Sequence, residues 1–310
     1  MSNFKQLLQS SLKSKDTEEW LDVYFTRPIG LVFALLWNKL GIHPNVITIL
    51  SIFLGMAAGY CFYFTDLAHN LLGIAFLMMA NFCDSTDGQM ARLSGKTSLL
   101  GRVLDGFSGD VWFFCIYFAL CMRMQSQPIP GLTVEWGVWI WLLAALAGLV
   151  CHKFQASLSD YYRQIHLYFL KGKAGSELDN YAQQRALYEA QPKSAWFNRA
   201  FYYNYSRYCQ QQERRTPAFQ QFFSRFKSRY TTPQSAPLEM REKFLAGSRP
   251  LMKYTNMLSF NLRALCIYVT CLLGCPWLYF LIEITILNLI YIYMHRKHEL
   301  LCTQMMEDLQ

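Results

Sequence analysis

Long apolar runs separated by short polar turns dominate this chain. Runs near 44–65, 69–86, 101–122, 136–157, 256–274 and 276–295 stand out. A helix needs about 20 apolar residues to cross roughly 30 Å of hydrocarbon, so these runs predict six transmembrane helices. The second run is apolar only to about residue 82, since Asn81 and Asp84 end it, and the third carries Asp105 and Asp110 inside it. His-Pro-Asn at 43–45 marks the start of the first span, because proline is tolerated in a helix's first turn. Before it, Phe4, Leu7, Leu8, Leu12, Trp20, Leu21 and Tyr24 fall near helical spacing. PIGLVFALLW at 28–37 is too short to span. Both stretches predict helices lying in the membrane interface. The expected fold is therefore all-α and integral to the membrane: a six-transmembrane-helix bundle with an N-terminal interfacial amphipathic helix and a helical cytoplasmic insert. The expected divisions are 1–43, interfacial helices; 44–160, spans one to four; 161–255, the insert; and 256–310, spans five and six with a tail.

Composition agrees with this class. Of 310 residues, 53% are hydrophobic and only 16% charged, against about a quarter charged in a soluble domain. The polar opening MSNFKQLLQSSLKSKDTEEW has no apolar core of a cleavable signal. The 10 cysteines are scattered, with no CxxC or ligand array, and read as small buried hydrophobes.

Charge sets the expected orientation. The connections around 65–70, 124–135 and 275–276 carry no Lys or Arg, whereas 87–102 carries Arg92, Lys96 and Arg102. By the excess of basic residues on cytoplasmic loops, six spans with both termini cytoplasmic satisfy every connection. The segment 161–255 holds 16 Lys/Arg and 6 Asp/Glu, or 16 − 6 = +10, more than the +8 of the whole chain. It interleaves aromatics with bases, as in RAFYYNYSRYCQQQERRTPAFQQFFSRFKSRY at 199–230. Stacking on single-stranded nucleic acid is one use of such a segment. Between two spans, contact with anionic lipid is the preferred reading, and no nucleic-acid partner is expected.

The orientation places four carboxylates, Asp84, Asp87, Asp105 and Asp110, at or just inside the cytoplasmic boundary. Asp84 and Asp87 share a helix face at i,i+3. Carboxylates at membrane depth repel one another and call for a compensating cation. Hard oxygen ligands favour magnesium, manganese or calcium. A metal held there suggests phosphate chemistry, with Gly88 and Ala91 allowing close approach and Arg92 supplying a cation. An acidic loop paired to Arg92 and Arg102 is the plain structural alternative.

The spacing D-x2-D-G-x2-A-R-x8-G-x3-D resembles the signature of the CDP-alcohol phosphotransferase family. Asp84, Asp87, Gly88, Ala91, Arg92, Gly101 and Asp105 all fall into register. Six spans, an interfacial N-terminal helix and the Pro44-Asn45 pair are also similar to that family. The resemblance covers 20–160 well and 256–297 loosely, and the 161–255 insert is longer than expected. It implies two Mg2+ or Mn2+ ions held by Asp84, Asp87, Asp105 and a last aspartate. It implies a nucleotide side formed by Asp84, Gly88, Ala91 and Arg92, with Asp105 in the catalytic machinery. The implied partners are a CDP-alcohol donor, an alcohol acceptor, membrane lipid and, since members are often dimers, a second copy.

One position departs. The family's last aspartate falls at Gly109, and the chain has Asp110 instead. On a regular helix, i+4 lies about 40° from Asp105 and i+5 about 140° away. A π-bulge would restore the direction, and such bulges are frequent at functional sites. The expectation is therefore a widened turn at 105–110, with Asp110 as metal ligand and general base, or an altered catalytic base. Arg102, His152 and Lys153 are the expected substrate anion contacts. Arg263 and Glu283 are expected to pair across the bundle or to line a polar cavity.

These features give a transferase of substituted phosphate groups, in phospholipid or sphingolipid synthesis, with its site at the cytoplasmic face. The preferred substrates are a CDP-lipid and inositol or inositol phosphate. A soluble CDP-choline or CDP-ethanolamine donor with a lipid acceptor is the alternative. A catalytically impaired nucleotide- or metal-binding member is a further reading. An ion transporter fits poorly, because the aspartates sit at one boundary rather than mid-membrane.

Overall fold

Helices form wherever the apolar periodicity is long. The computed structural model describes residues 6–8, 14–95 and 98–309. Phe4 and Leu12 of the amphipathic pattern, and Lys96 of the basic connection, lie outside them. The chain divides into two compact units: Met1–Lys153 with Phe260–Asn288, and Phe154–Ser259 with Leu289–Gln310.

In the first unit, a π-helical turn at Asp22–Thr26 leads into α1 (Arg27–Lys39), with Pro28 in its first turn. Then come α2 (Pro44–Tyr63), α3 (Leu67–Ser94) and α4 (Leu99–Met124). A further helix, α5 (Val138–Ala145), continues as π-helical turns over Leu146–His152. Helix α2 lies along both α3 and α4, and α1 lies along α3.

Glycine makes the closest of these contacts. A Cβ on Gly55 would sit 1.9 Å from Trp112 Cδ1, and one on Gly59 would sit 2.9 Å from the backbone carbon of Cys115. Without a hydrophobic drive between helices in lipid, small residues that let backbones approach are the usual means of association. Ala58, Phe62, Leu77, Ala80, Trp112 and Ile116 form the buried core there. At the far end of α4, buried Arg123 donates to Asn70 Oδ1 at 2.9 Å and to the Phe62 carbonyl at 3.2 Å.

Helix α6 (Lys153–Lys171) opens the second unit. It continues through α7 (Tyr181–Ala190), α8 (Trp196–Arg215), α9 (Pro217–Arg229), α10 (Leu238–Ser248) and α11 (Met252–Met257). The aromatics of the insert do not all face outward. Phe169, Phe219, Phe222, Phe226 and Phe244 are essentially fully buried, with Phe169 and Phe244 rings 4.1 Å apart. The basic segment therefore has its own apolar core, while Trp196 on α8 is 74% exposed. The first unit is completed by α12 (Phe260–Leu272) and α13 (Trp277–Ile284), and α14 is Ile286–Glu307.

Five helical stretches among the described residues are long and apolar enough to cross a membrane: Pro44–Tyr63, Leu67–Ser94, Leu99–Met124, Val138–Lys171 and Trp277–Glu307. The remaining expected span, 256–274, is interrupted. Its helix α12 has 13 residues, about 20 Å at 1.5 Å per residue, because the chain turns at Leu258 and Ser259. The 10 cysteines are free thiols, most of them buried, in keeping with their reading as small hydrophobes.

Candidate active site

Gly95 ends one helix and Ser98 opens the next, and between them they bring α3 and α4 to one place. Gly95 adopts φ 68°, a left-handed stop for α3 that suits a residue without Cβ. Ser98 caps α4, its Oγ accepting from the Gly101 amide at 2.9 Å. Gly101 itself seats the start of α2, since a Cβ there would lie 3.0 Å from Asn45 Oδ1. The signature spacing is thus a stop, a start and a close approach.

On this frame Asp84 and Asp87 of α3 meet Asp105 of α4. One carboxylate oxygen from each lies within 4.8 Å of the others. Asp87 is 4% exposed and accepts a hydrogen bond from the Thr48 hydroxyl of α2. Asp84 Oδ1 lies 3.1 Å from Ser108 Oγ, whose proton is shared with the Asp105 carbonyl at 2.8 Å. Asp105 is the exposed member. Three converging carboxylates, two of them oriented by hydroxyl donors, are a hard-oxygen set that fits a divalent cation.

Cations flank the trio. Arg92 lies one turn beyond Gly88, where a Cβ would stand in ordinary contact with the guanidinium, 3.4 Å from Nη1. Arg27 of α1 has not been singled out by the motif, yet it is within electrostatic reach of Asp84 and Arg92. Its Nε and Nη2 donate to Glu18 at 3.3 and 3.5 Å. Gln89, between Asp87 and Arg92, donates to the Arg27 carbonyl at 3.0 Å. The close seat is Gly30, where a Cβ would stand 3.3 Å from both Ser85 Oγ and Thr86 Oγ1.

Asp110 is not one of the converging carboxylates. Helix α4 is α-helical throughout Leu99–Met124, so the widened turn expected at 105–110 is absent. The physical reason is that nothing presses on that turn: a Cβ on Gly106 or Gly109 would meet nothing within 4 Å. Asp110 accordingly stands outside the trio and interacts with Lys153. π-helical turns fall instead at Asp22–Thr26 and at Leu146–His152, the latter leading to that lysine. His152 packs its ring against Phe113 at 4.6 Å, and its Nδ1 lies 4.0 Å from Glu283 Oε1, with no hydrogen-bond partner among the described residues. Arg102 is exposed at the start of α4. Arg263 and Glu283 do pair, both Nε and Nη2 lying 3.2 Å from Oε1. Tyr279 donates to Glu283 Oε2 at 3.1 Å and exchanges a 3.0 Å hydrogen bond with Tyr117.

Thr48, Ser108, Gln89 and Arg27 escape the sequence reading. Thr48 and Ser108 are weak signals, being hydroxyls in apolar runs one turn after Pro44 and three residues after Asp105. Arg27 has none, because only the fold of α1 onto α3 brings it near the motif.

A family model described as CDP-alcohol phosphatidyltransferase matches residues 41–168. Archaetidylinositol phosphate synthase of Pyrococcus horikoshii is 39% identical over 67 residues, covering 22% of this chain and 34% of that protein. The bifunctional IPC transferase and DIPP synthase of Aquifex aeolicus is 30% identical over 107 residues, covering 34% of this chain and 22% of that protein. The chain thus spans about a third of one curated relative and about a fifth of the other. The matched region contains α2, α3, α4 and every aspartate of the trio, so the similarity to a CDP-alcohol phosphatidyltransferase domain covers the residues that build the site.

Proposed function

We propose that this chain transfers a phosphoalcohol group from a CDP-alcohol to an acceptor alcohol and releases CMP. The convergence of Asp84, Asp87 and Asp105 beside Arg92, inside the matched domain, carries the reading. We further propose a CDP-linked lipid as donor and inositol or inositol phosphate as acceptor. Similarity to an archaetidylinositol phosphate synthase favours an inositol phosphate over choline or ethanolamine chemistry. The excess of Lys and Arg on alternate connections supports a cytoplasmic site with both termini on that side.

Asp84, Asp87 and Asp105 would hold Mg2+ or Mn2+, which when bound supplies positive charge to the diphosphate and its leaving phosphate. Two such ions are proposed. Arg92 offers its planar fork to phosphate oxygens, and Gly88 and Ala91 keep the nucleotide side free of bulk. Asp87 is fixed by Thr48, and Asp84 by Ser108, so their oxygens hold direction without rearrangement. The acceptor hydroxyl oxygen attacks the phosphorus bearing the donor alcohol. The bond from that phosphorus to the bridging oxygen breaks, and CMP leaves with the oxygen. The hydroxyl proton passes to a carboxylate. We assign it to Asp105, the exposed member of the trio, because Asp110 is turned about 140° away on a regular helix and faces Lys153. A positioned base contributes roughly 10²–10⁴-fold.

The test is a panel assay on the purified chain in nanodiscs. CDP-diacylglycerol is offered with inositol, inositol phosphate or buffer, and CDP-choline with diacylglycerol, each with Mg2+, Mn2+ or EDTA. CMP and lipid products are read by mass spectrometry. Metal-dependent CMP release with a new inositol-containing lipid is expected. Product only from CDP-choline would overturn the substrate assignment, and no CMP from any pair would overturn the transferase reading.

A further inference from the structure

We propose that Arg27, brought by the N-terminal segment, is a phosphate-binding residue of the donor site, working with Arg92 on the CDP diphosphate. The inference rests on the transferase reading above. The placement is built by three contacts. Gly30 lets α1 close onto Ser85 and Thr86 of α3. Gln89 holds the Arg27 carbonyl at 3.0 Å. Phe25 rests on Phe82, with ring centroids 5.5 Å apart. All of them fix the first turn of α1 against the stretch of α3 that carries Asp84, Asp87 and Arg92.

Charge makes the assignment specific. Arg27 and Arg92 are close enough to disfavour one another, and Glu18 and the aspartates surround them. Two guanidiniums drawn together at an acidic site repel unless an anion lies between them. Glu18 only partly fills that place. Its contacts to Arg27 are 3.3 and 3.5 Å, longer than the 2.7–2.9 Å of a strong charge-assisted hydrogen bond, and the guanidinium has five donors to offer. Counting Asp84, Asp87, Asp105 and Glu18 against Arg27 and Arg92 gives −4 + 2 = −2. The two proposed divalent ions bring this to +2. The diphosphate of a CDP-alcohol carries two negative charges, so the filled site is neutral with Arg27 included. Without Arg27 it would hold one negative charge in excess. Glu18 is thus the resting partner of a cation whose working partner is phosphate.

The experiment measures equilibrium binding rather than turnover. CDP is titrated into the purified full chain in detergent with Mg2+, by calorimetry, for wild type, Arg27→Gln, Arg27→Lys and Glu18→Gln. Arg27→Gln is expected to weaken CDP binding about ten- to hundredfold, the worth of a charged hydrogen bond. Arg27→Lys should recover part of it, and Glu18→Gln should leave CDP binding equal or tighter, since it frees the guanidinium. If Arg27 and Glu18 form only a structural pair, both neutral variants lower the melting temperature alike and CDP affinity stays at the wild-type value, which overturns the proposal. Should Arg27→Gln fail to fold, a Glu18→Gln variant that binds CDP more weakly than wild type overturns it equally. Absence of metal-dependent CDP binding by the wild type sinks the transferase reading itself, a separate and recognisable result.

Discussion

The Arg263–Glu283 pair gives the most demanding test of how this fold handles charge. Arg263 is 1% exposed and Glu283 0%. Three contacts of 3.2 Å join the guanidinium to the carboxylate, and the Tyr279 hydroxyl adds a fourth partner at 3.1 Å. By distance alone the Lys243–Asp308 pair is tighter, at 2.7 Å, but its side chains are 56% and 34% exposed. Water decides between them. An exposed pair contributes about 0.2–1 kcal/mol. Breaking a buried pair leaves an uncompensated charge and costs about 3–5 kcal/mol, a large share of the roughly 5–15 kcal/mol typical of a folded domain. Glu283→Leu and Arg263→Met should each lose that amount, measured by reversible denaturation in detergent micelles. The double variant should recover most of it, because both charges are then gone and the side chains fill similar volume. Tyr279→Phe should cost about 1 kcal/mol. Single variants that each lose under about 1 kcal/mol, with no coupling in the cycle, would mean that water reaches the pair, and the argument from desolvation would be wrong.

Three further outcomes are expected. Thr48→Val removes the donor to Asp87 and Ser108→Ala the donor to Asp84; each should raise the Mg2+ concentration for half-maximal activity about 10–100-fold, and an unchanged metal titration would refute the orienting role. Gly59→Ala drives a Cβ to 2.9 Å from the Cys115 backbone; it should destabilise the chain by about 1–3 kcal/mol, whereas Gly106→Ala, with open space around it, should leave the melting temperature within about a degree of wild type or raise it, since a helix gains up to ~1 kcal/mol from that change. Asp110→Asn should keep turnover within a fewfold of wild type while Asp105→Asn loses roughly 10²-fold or more; a large loss in Asp110→Asn alone would return the proton to Asp110.

Much of this was readable because membrane helices leave a plain mark. The apolar runs of α2, α3 and α4 coincide with their predicted spans to within a few residues, apart from the longer ends of α3 and α4, because hydrocarbon thickness fixes a minimum length. Asp84, Asp87 and Asp105 were readable because a fixed spacer, closed by Gly95 and Ser98, converts sequence register into position. The break in the run at 256–274 was not, because Leu258 and Ser259 fit an apolar helix as well as a turn. Neither was the second unit's aromatic core, since Phe222 and Phe226 have the same spacing whether they face lipid or one another. The displaced Asp110 raised the right question, but only backbone geometry could say that the helix does not widen. Arg27 was hidden for the plainest reason: the chain separates it from Asp84 by 57 residues of sequence (84 − 27), and no local pattern encodes that contact.

The turn closed by Gly95 and Ser98 also orders events in time. The hydroxyls that hold Asp87 and Asp84, those of Thr48 and Ser108, both lie within the first 110 residues of the 310. These contacts span 39 and 24 residues of sequence and need none of the later chain. A ribosome adding about 5–20 residues per second needs about 10–40 s for the other 310 − 110 = 200 residues. The three carboxylates and their hydroxyl donors are therefore all synthesised while α6 to α11 have yet to be made. The second unit, with its own aromatic core, is added only after all three aspartates have been synthesised.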